Sequence, residues 1–185
     1  MRPRRQDGRP FGWAPRSVLP VSPQIRTATD VDWGQIWPIV EAVVRAGETY
    51  AYPLDLTSED ARDLWMAPPP GETVVWADDD GTVLGTAKMG PNRPGNGDHV
   101  GTASFMVAPG ARGRGVGRDL GEHVVAWHRE HGFDAIQFNA VVETNEAAVR
   151  LWRSLGFTII GTVPGAFRHP TQGRVGLHVM HLSLR

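Results

Sequence analysis

Val107-Ala-Pro-Gly-Ala-Arg112-Gly-Arg-Gly-Val-Gly117-Arg118 is the stretch whose reading decides the fold. An apolar run ends at Val107, a glycine-rich turn follows, and a helical pattern opens at Val116, with Leu120, Val124 and Trp127 on one face. The amides at a helix start have no intrahelical partner, and the positive end of the helix dipole lies behind them. A pyrophosphate fits there if side chains stay clear. Gly113, Gly115 and Gly117 clear that space, and Arg112, Arg114 and Arg118 supply positive charge at its edges, with Val116 beginning the helix. A Walker loop is excluded, because Gly117 is followed by Arg118 and not by lysine. The dinucleotide G-x-G-x-x-G is excluded too, since Arg118 stands where its third glycine belongs. A turn built only for tight strand–helix packing is the alternative reading. A second stretch, Asn145-Glu-Ala-Ala-Val-Arg-Leu-Trp-Arg-Ser-Leu-Gly156-Phe157, reads as a capped amphipathic helix stopped by glycine.

Working outward, 185 residues suit one domain with a substantial core. Net charge is -1, so no overall field favours nucleic acid or membrane. The chain has no cysteine, which excludes thiolate nucleophiles, disulfides and cysteine metal sites. Lys88 is the only lysine; arginine carries the rest of the positive charge. No apolar run has the length of a membrane span, and no apolar signal core stands near Met1, so a cytoplasmic protein is expected.

Residues 1–24 are rich in arginine and proline and are expected to form a flexible tail ahead of a domain at 25–185. Ile25 to Ala28 reads as a strand, and Asp30 to Ala46 as a helix capped by Thr29 or Asp30, stopped by Gly47 and kinked at Pro38. A loop with Tyr50 and Tyr52 leads to a short helix capped by Ser58. Strands follow at 73–77, 82–89 and 99–107, with Asp78 to Gly81 as a hairpin turn. A helix over 116–131, a strand over 135–141, the helix over 145–155 and strands at 158–163 and within 175–184 complete the order β-α-α-β-β-β-α-β-α-β-β. The expected class is α/β (α+β), a mixed sheet with helices on both faces.

Arg112-Gly-Arg-Gly115-Val-Gly117 resembles the R/Q-x-x-G-x-G/A acetyl-CoA motif of the GNAT superfamily of N-acetyltransferases. Asn145 to Phe157 resembles the segment that follows it there, N-x-x-A-x-x-L-(Y/W)-x-x-L-G-F. The resemblance runs from Ile25 to the C-terminus and leaves out the leader. It implies a mixed, mostly antiparallel twisted sheet whose central strand pair splays apart. It also implies acetyl-CoA as co-substrate with no metal, a small-molecule amine as acceptor, no nucleic-acid or membrane partner, and a homodimer as one option. Phe105, Met106 and Val107 would pair with the pantetheine arm, and the N–H of Met106 or Val107 would polarise the thioester carbonyl. Such a donor is worth about 3 kcal/mol in the transition state. Arg112 to Arg118 and Asn145 would complete the cofactor site.

A narrower branch is similar in three strings: Pro91-Asn92-Arg93-Pro94-Gly95, Phe138-Asn139 with Glu143-Thr144-Asn145, and Pro164 to Pro170. That branch includes a fungal N-acetyltransferase acting on the proline analogue azetidine-2-carboxylate. It implies Asn92 and Asn139 as acceptor ligands and Asn145 near the thioester, with Asn139 and Asn145 in the chemistry. Without it, Asn92 is a turn residue, Asn145 a helix cap, and Asn139 a strand asparagine in need of partners. Glu48 and Tyr50 are expected in a loop that closes over the acceptor. Glu48, Asp98, His99 and Glu143 are candidate bases, although solvated surface charge accounts for each. Trp152 stands where many family members have a tyrosine that protonates the leaving thiolate. Indole N–H cannot do so, and Trp152 becomes a packing residue or a wall of the acceptor pocket. Two rival functions remain: acetylation of a protein N-terminus or lysine, and an acyl-CoA-binding regulatory module.

Overall fold

A computed structural model describes residues 23–185. The leader expected over residues 1–24 lies outside them except for its last two residues, and Gln24 already pairs in the first strand. The order is β1 (Gln24–Thr27), α1 (Trp33–Ala46), α2 (Ser58–Trp65), β2 (Glu72–Ala77), β3 (Val83–Pro91), β4 (Val100–Val107), α3 (Val116–Glu130), β5 (Ala135–Val142), α4 (Glu146–Ser154), β6 (Thr158–His169) and β7 (Gly173–Ser183). The strands form one 7-stranded sheet in the order β1-β2-β3-β4-β5-β7-β6, with every pairing antiparallel except β4 with β5. Among the described residues no helix is long and apolar enough to cross a membrane.

Local chemistry sets the boundaries. Asp32, 3% exposed, receives Arg26 through both guanidinium nitrogens at 2.6 and 2.8 Å and the Thr29 amide at 2.7 Å. This fastens the start of α1 to β1, and the guanidinium holds the carboxyl well below the usual range. The helix runs on through Pro38 to Gly47. Thr57, not Ser58, caps α2, because its hydroxyl accepts the Asp60 amide at 3.2 Å. β6 continues past Val163 through Pro164 and Gly165. It is an edge strand whose register breaks between Val163 and Phe167, so proline deprives no central ladder of a donor.

Alternation along the central strands divides the sheet into two faces. Thr86 and Met106 face α1 and α2, where the Trp65 indole donates to Thr86 Oγ1 at 3.0 Å. Ala87, Met89, Leu120 and Val124 form the core beneath α3. Phe138, Trp152, Phe157 and Met180 form the core beneath α4.

One close approach fixes the centre. β4 and β5 pair only through Val100–Ala135 and Gly101–Ile136. Beyond those residues the two strands part. A Cβ on Gly101 would lie 2.1 Å from the ring of His128, which is fully buried and bonds the Val124 carbonyl through Nδ1 at 2.8 Å. Burial pushes the His128 pKa down, so the ring is neutral where the strands meet. Replacing Gly101 with alanine should cost about 3 kcal/mol through overpacking. Denaturant unfolding of Gly101→Ala, His128→Ala and the double variant checks this. The double variant should be more stable than the sum of the two single losses.

Candidate active site

The site is built where β4 and β5 diverge. Ala108 donates to Leu84 at 2.9 Å, which sets the phase of the β3–β4 ladder. In an antiparallel ladder bonded pairs alternate, so Met106 and Ser104 turn their amides to β3, while Phe105 and Val107 turn theirs to the gap. This corrects one expectation. The Met106 N–H belongs to the sheet and its side chain is 1% exposed, so it is not the donor facing the gap. Val107, the other expected donor, does face it.

Phe105 is held by a residue from far away in sequence. The Tyr50 hydroxyl accepts the Phe105 N–H at 2.9 Å and donates to the Phe105 carbonyl at 2.8 Å. Tyr50 stacks on Tyr52 at 5.5 Å and meets Trp65 edge-on at 6.2 Å. Burial raises its pKa, which keeps the hydroxyl protonated. Glu48, from the same loop, is exposed and is not brought into this cluster.

The face toward α2 is polar around the gap. Asn139 Nδ2 donates to Asn92 Oδ1 at 2.7 Å, and Gln137 Nε2 donates to Asn139 Oδ1 at 2.8 Å. Asn92 and Asn139 thus meet across β4 from strands not paired with each other. A bulge makes this reach possible: the β5–β7 register breaks between Phe138 and Val141, at Asn139. Arg93 donates to the Asn92 carbonyl at 2.9 Å. Gln137 escaped notice in the sequence, although the period of two that exposes Asn139 puts Gln137 on the same face.

The opposite face is aromatic. Trp152, 7% exposed, lies 4.5 Å from the Phe105 ring and 5.0 Å from that of Phe138. It wedges under the diverging strands from α4 and does not reach the Asn92–Asn139 pair. Of its two expected roles, packing is the one its position serves. Asn145 caps α4, its Oδ1 accepting the Ala148 amide at 3.2 Å.

At the far end of β4, Gly113 and Gly115 take φ of 80 and 86°, which L side chains rarely adopt. Gly115 is the N-cap of α3, so the first-turn amides open onto the arginines. Arg112 is exposed, Arg114 approaches Asp78 only to 3.9 Å, and Arg118 donates to Ser154 at 3.1 Å. This donor set suits a phosphate-bearing ligand. Among the candidate bases, His99 and Asp98 are exposed, and the Glu143 carboxylate is engaged by the Gly176 amide.

Comparison with known proteins gives this geometry a family. The profile of the acetyltransferase (GNAT) family matches residues 37–157. A GCN5-related N-acetyltransferase from Kribbella flavida is 61% identical and superposes with a TM-score of 0.86, over 88% of this chain and 98% of that one. The Salmonella typhimurium protein yncA, solved with its cofactor acetyl-CoA, is 25% identical with a TM-score of 0.74, over 89% of this chain and 95% of that one. N-acetyltransferase aca1 of Schizosaccharomyces pombe is 29% identical over 139 residues, 68% of this chain. The match spans 66% of that curated relative, just under two thirds of its length.

Removing the Tyr50 hydroxyl leaves two part-buried backbone groups of Phe105 without their partner. Tyr50→Phe should therefore lose about 2 kcal/mol in urea unfolding. The raised pKa fixes the sign of the pH dependence. The Tyr50 contribution is complete below about pH 10 and falls as pH rises further, and the phenylalanine variant should lack that alkaline loss.

Proposed function

The chain belongs to the acetyltransferase (GNAT) family with acetyl-CoA as its co-substrate, and we propose that it acetylates the amine of a small molecule, an amino acid or an amino-acid analogue. The observation that carries this reading is the Asn139–Asn92 pair closing over the gap between β4 and β5 at 2.7 Å. Uncharged amides can hold a carboxylate or orient an amine but cannot titrate.

The remaining residues take roles around that pair. Arg112 to Arg118 receive the pyrophosphate at the start of α3. The gap-facing backbone of Val107 receives the pantetheine arm and the thioester, next to Phe105, whose N–H and carbonyl are held by Tyr50. Bound there, acetyl-CoA supplies the activated acetyl group, and the protein's task is to orient the amine for direct attack within one ternary complex. Asn145 stands beside the thioester as the cap of α4, and Tyr50 with its loop closes the acceptor side.

The attacking nitrogen must be neutral. Deprotonating an amine of pKa ~10.4 costs roughly 4–5 kcal/mol at pH 7, against about 1.4 kcal/mol for one near 8. No carboxylate or histidine among the described residues hydrogen-bonds to Asn92 or Asn139. This arrangement favours acceptors of lower pKa over a lysine side chain, which sets the small-molecule reading above protein lysine acetylation.

Two measurements test these roles. Asn139→Ala should cut kcat/KM for the acceptor by about a hundredfold while acetyl-CoA affinity changes less than threefold; equal losses would reject an acceptor-side role. Arg112→Ala with Arg114→Ala should raise the acetyl-CoA Kd about tenfold and flatten its dependence on salt. The melting temperature should move by only about 2 °C, since both side chains are exposed. CoA release across amino acids, other amines and peptides names the acceptor class. Turnover with peptides alone would replace the small-molecule reading, and tight CoA binding with no turnover would leave a regulatory module.

A further inference from the structure

Beyond Asn92 the polar face continues into a groove of about 600 Å³. Pro68 to Gly71 form one wall and Pro91 to Gly95 the other, with Lys88, Thr102 and Ser104 on the floor. Lys88 is the only lysine in the chain and stands on β3, four residues before Asn92 and on the same face. At the rise of a strand their Cα atoms are about 13 Å apart, and both residues line the same groove.

The setting of Lys88 is unusual for a surface lysine. Lys88 is half-buried, its ammonium lies 5.6 Å from the centre of the Trp65 ring, and among the described residues its one hydrogen bond goes to the Leu64 carbonyl. An ammonium has three donors, so two find no protein partner among the described residues. No carboxylate pairs with it among the described residues. Burial lowers its pKa, which measures the cost of holding a desolvated cation without a counter-ion. Arg93, on the facing wall, also lacks an ion-pair partner among the described residues, and Asp98 is the one acid lining the groove. Two unpaired cations against one exposed carboxylate leave the groove positive, and the more deeply set cation can be neutralised only by what enters.

We infer that this groove is a subsite for the carboxylate of the acceptor, with the Lys88 ammonium as its ion-pair partner and Arg93 at the rim. The inference rests on the small-molecule reading above and narrows it. Acceptors carrying a carboxylate are selected, and polyamines or lysine side chains meet like charge. Arginine would serve less well than lysine at position 88, because a planar guanidinium does not fit where a compact ammonium sits between Leu64 and Trp65.

The test compares matched ligands on the wild-type chain, Lys88→Met and Lys88→Arg. Methionine keeps the apolar stem, so folding is preserved, and thermal melting verifies this. Initial rates are taken with an accepted amino acid and its carboxamide. Binding of the corresponding N-acetyl amino acid and its carboxamide is read by calorimetry, which needs no turnover. For Lys88→Met we expect KM and Kd for the carboxylate ligands to rise at least tenfold, values for the carboxamides to move less than twofold, and acetyl-CoA affinity to hold. Lys88→Arg should recover only part of the loss. Equal losses for both ligand types, or no loss, would overturn the subsite. A wild-type enzyme that turns over amines but prefers the carboxamide would also overturn it while leaving the acetyltransferase reading intact. A wild-type chain that releases no CoA with any amine would sink that reading instead, and calorimetry would still decide whether Lys88 binds the carboxylate.

Discussion

Everything in this protein turns on two parallel strands that pair over two residues each and then separate. At Gly101 the fully buried ring of His128 presses against the backbone, and no side chain could be accommodated there. Past that point β4 and β5 each present backbone groups without a strand partner. Leaving such groups buried and unpaired costs about 1–3 kcal/mol each, so the opening persists only if something else satisfies them. Tyr50 does so for Phe105 from a loop distant in sequence. Val107 keeps its N–H and carbonyl toward the gap, where an extended amide-bearing chain can complete the ladder. The gap thus offers main-chain groups, and in the proposed function these groups receive the pantetheine arm.

The two faces of that gap divide the work. Trp152 packs on Phe105 and Phe138 from the α4 side, at 4.5 and 5.0 Å, and lines that side with aromatic surface. The α2 side carries Asn92, Asn139, Gln137 and Lys88, all uncharged or cationic. A face without a carboxylate at the asparagines is poor at deprotonating a strongly basic amine. It is suited to holding the acid group of the acceptor. On the proposed function the chemistry is mainly positioning, with Lys88 placed for the acceptor's carboxylate.

Much of this was legible in the residues. The element order follows from hydrophobic period and punctuation, and the glycine-rich turn does join an apolar strand to a patterned helix, the setting in which a phosphate site is expected. The misreadings have physical causes. Pro164 and Gly165 signal a strand end, yet they are tolerated on an edge strand across a register break. Ser58 and Thr57 are both good caps, and only the backbone chooses Thr57. Met106 and Val107 are indistinguishable as donors until the phase of the β3–β4 ladder is known. Long-range contacts were out of reach: Tyr50 on Phe105, and Asn92 on Asn139, depend on how loops and a bulge are placed in three dimensions. In the sequence Lys88 stands out only as the single lysine; its place in the groove without an ion-pair partner among the described residues is a matter of three dimensions.

The central claim is that the gap-facing backbone of β4 receives the co-substrate. Residue-resolved amide hydrogen exchange with and without a CoA ligand tests it most directly. Binding should slow exchange at Val107 by at least about tenfold, while Phe105, already bonded to Tyr50, and Met106 and Ser104, already bonded to β3, should change little. Protection confined to residues outside β4, or shared equally by Met106 and Val107, would contradict the account.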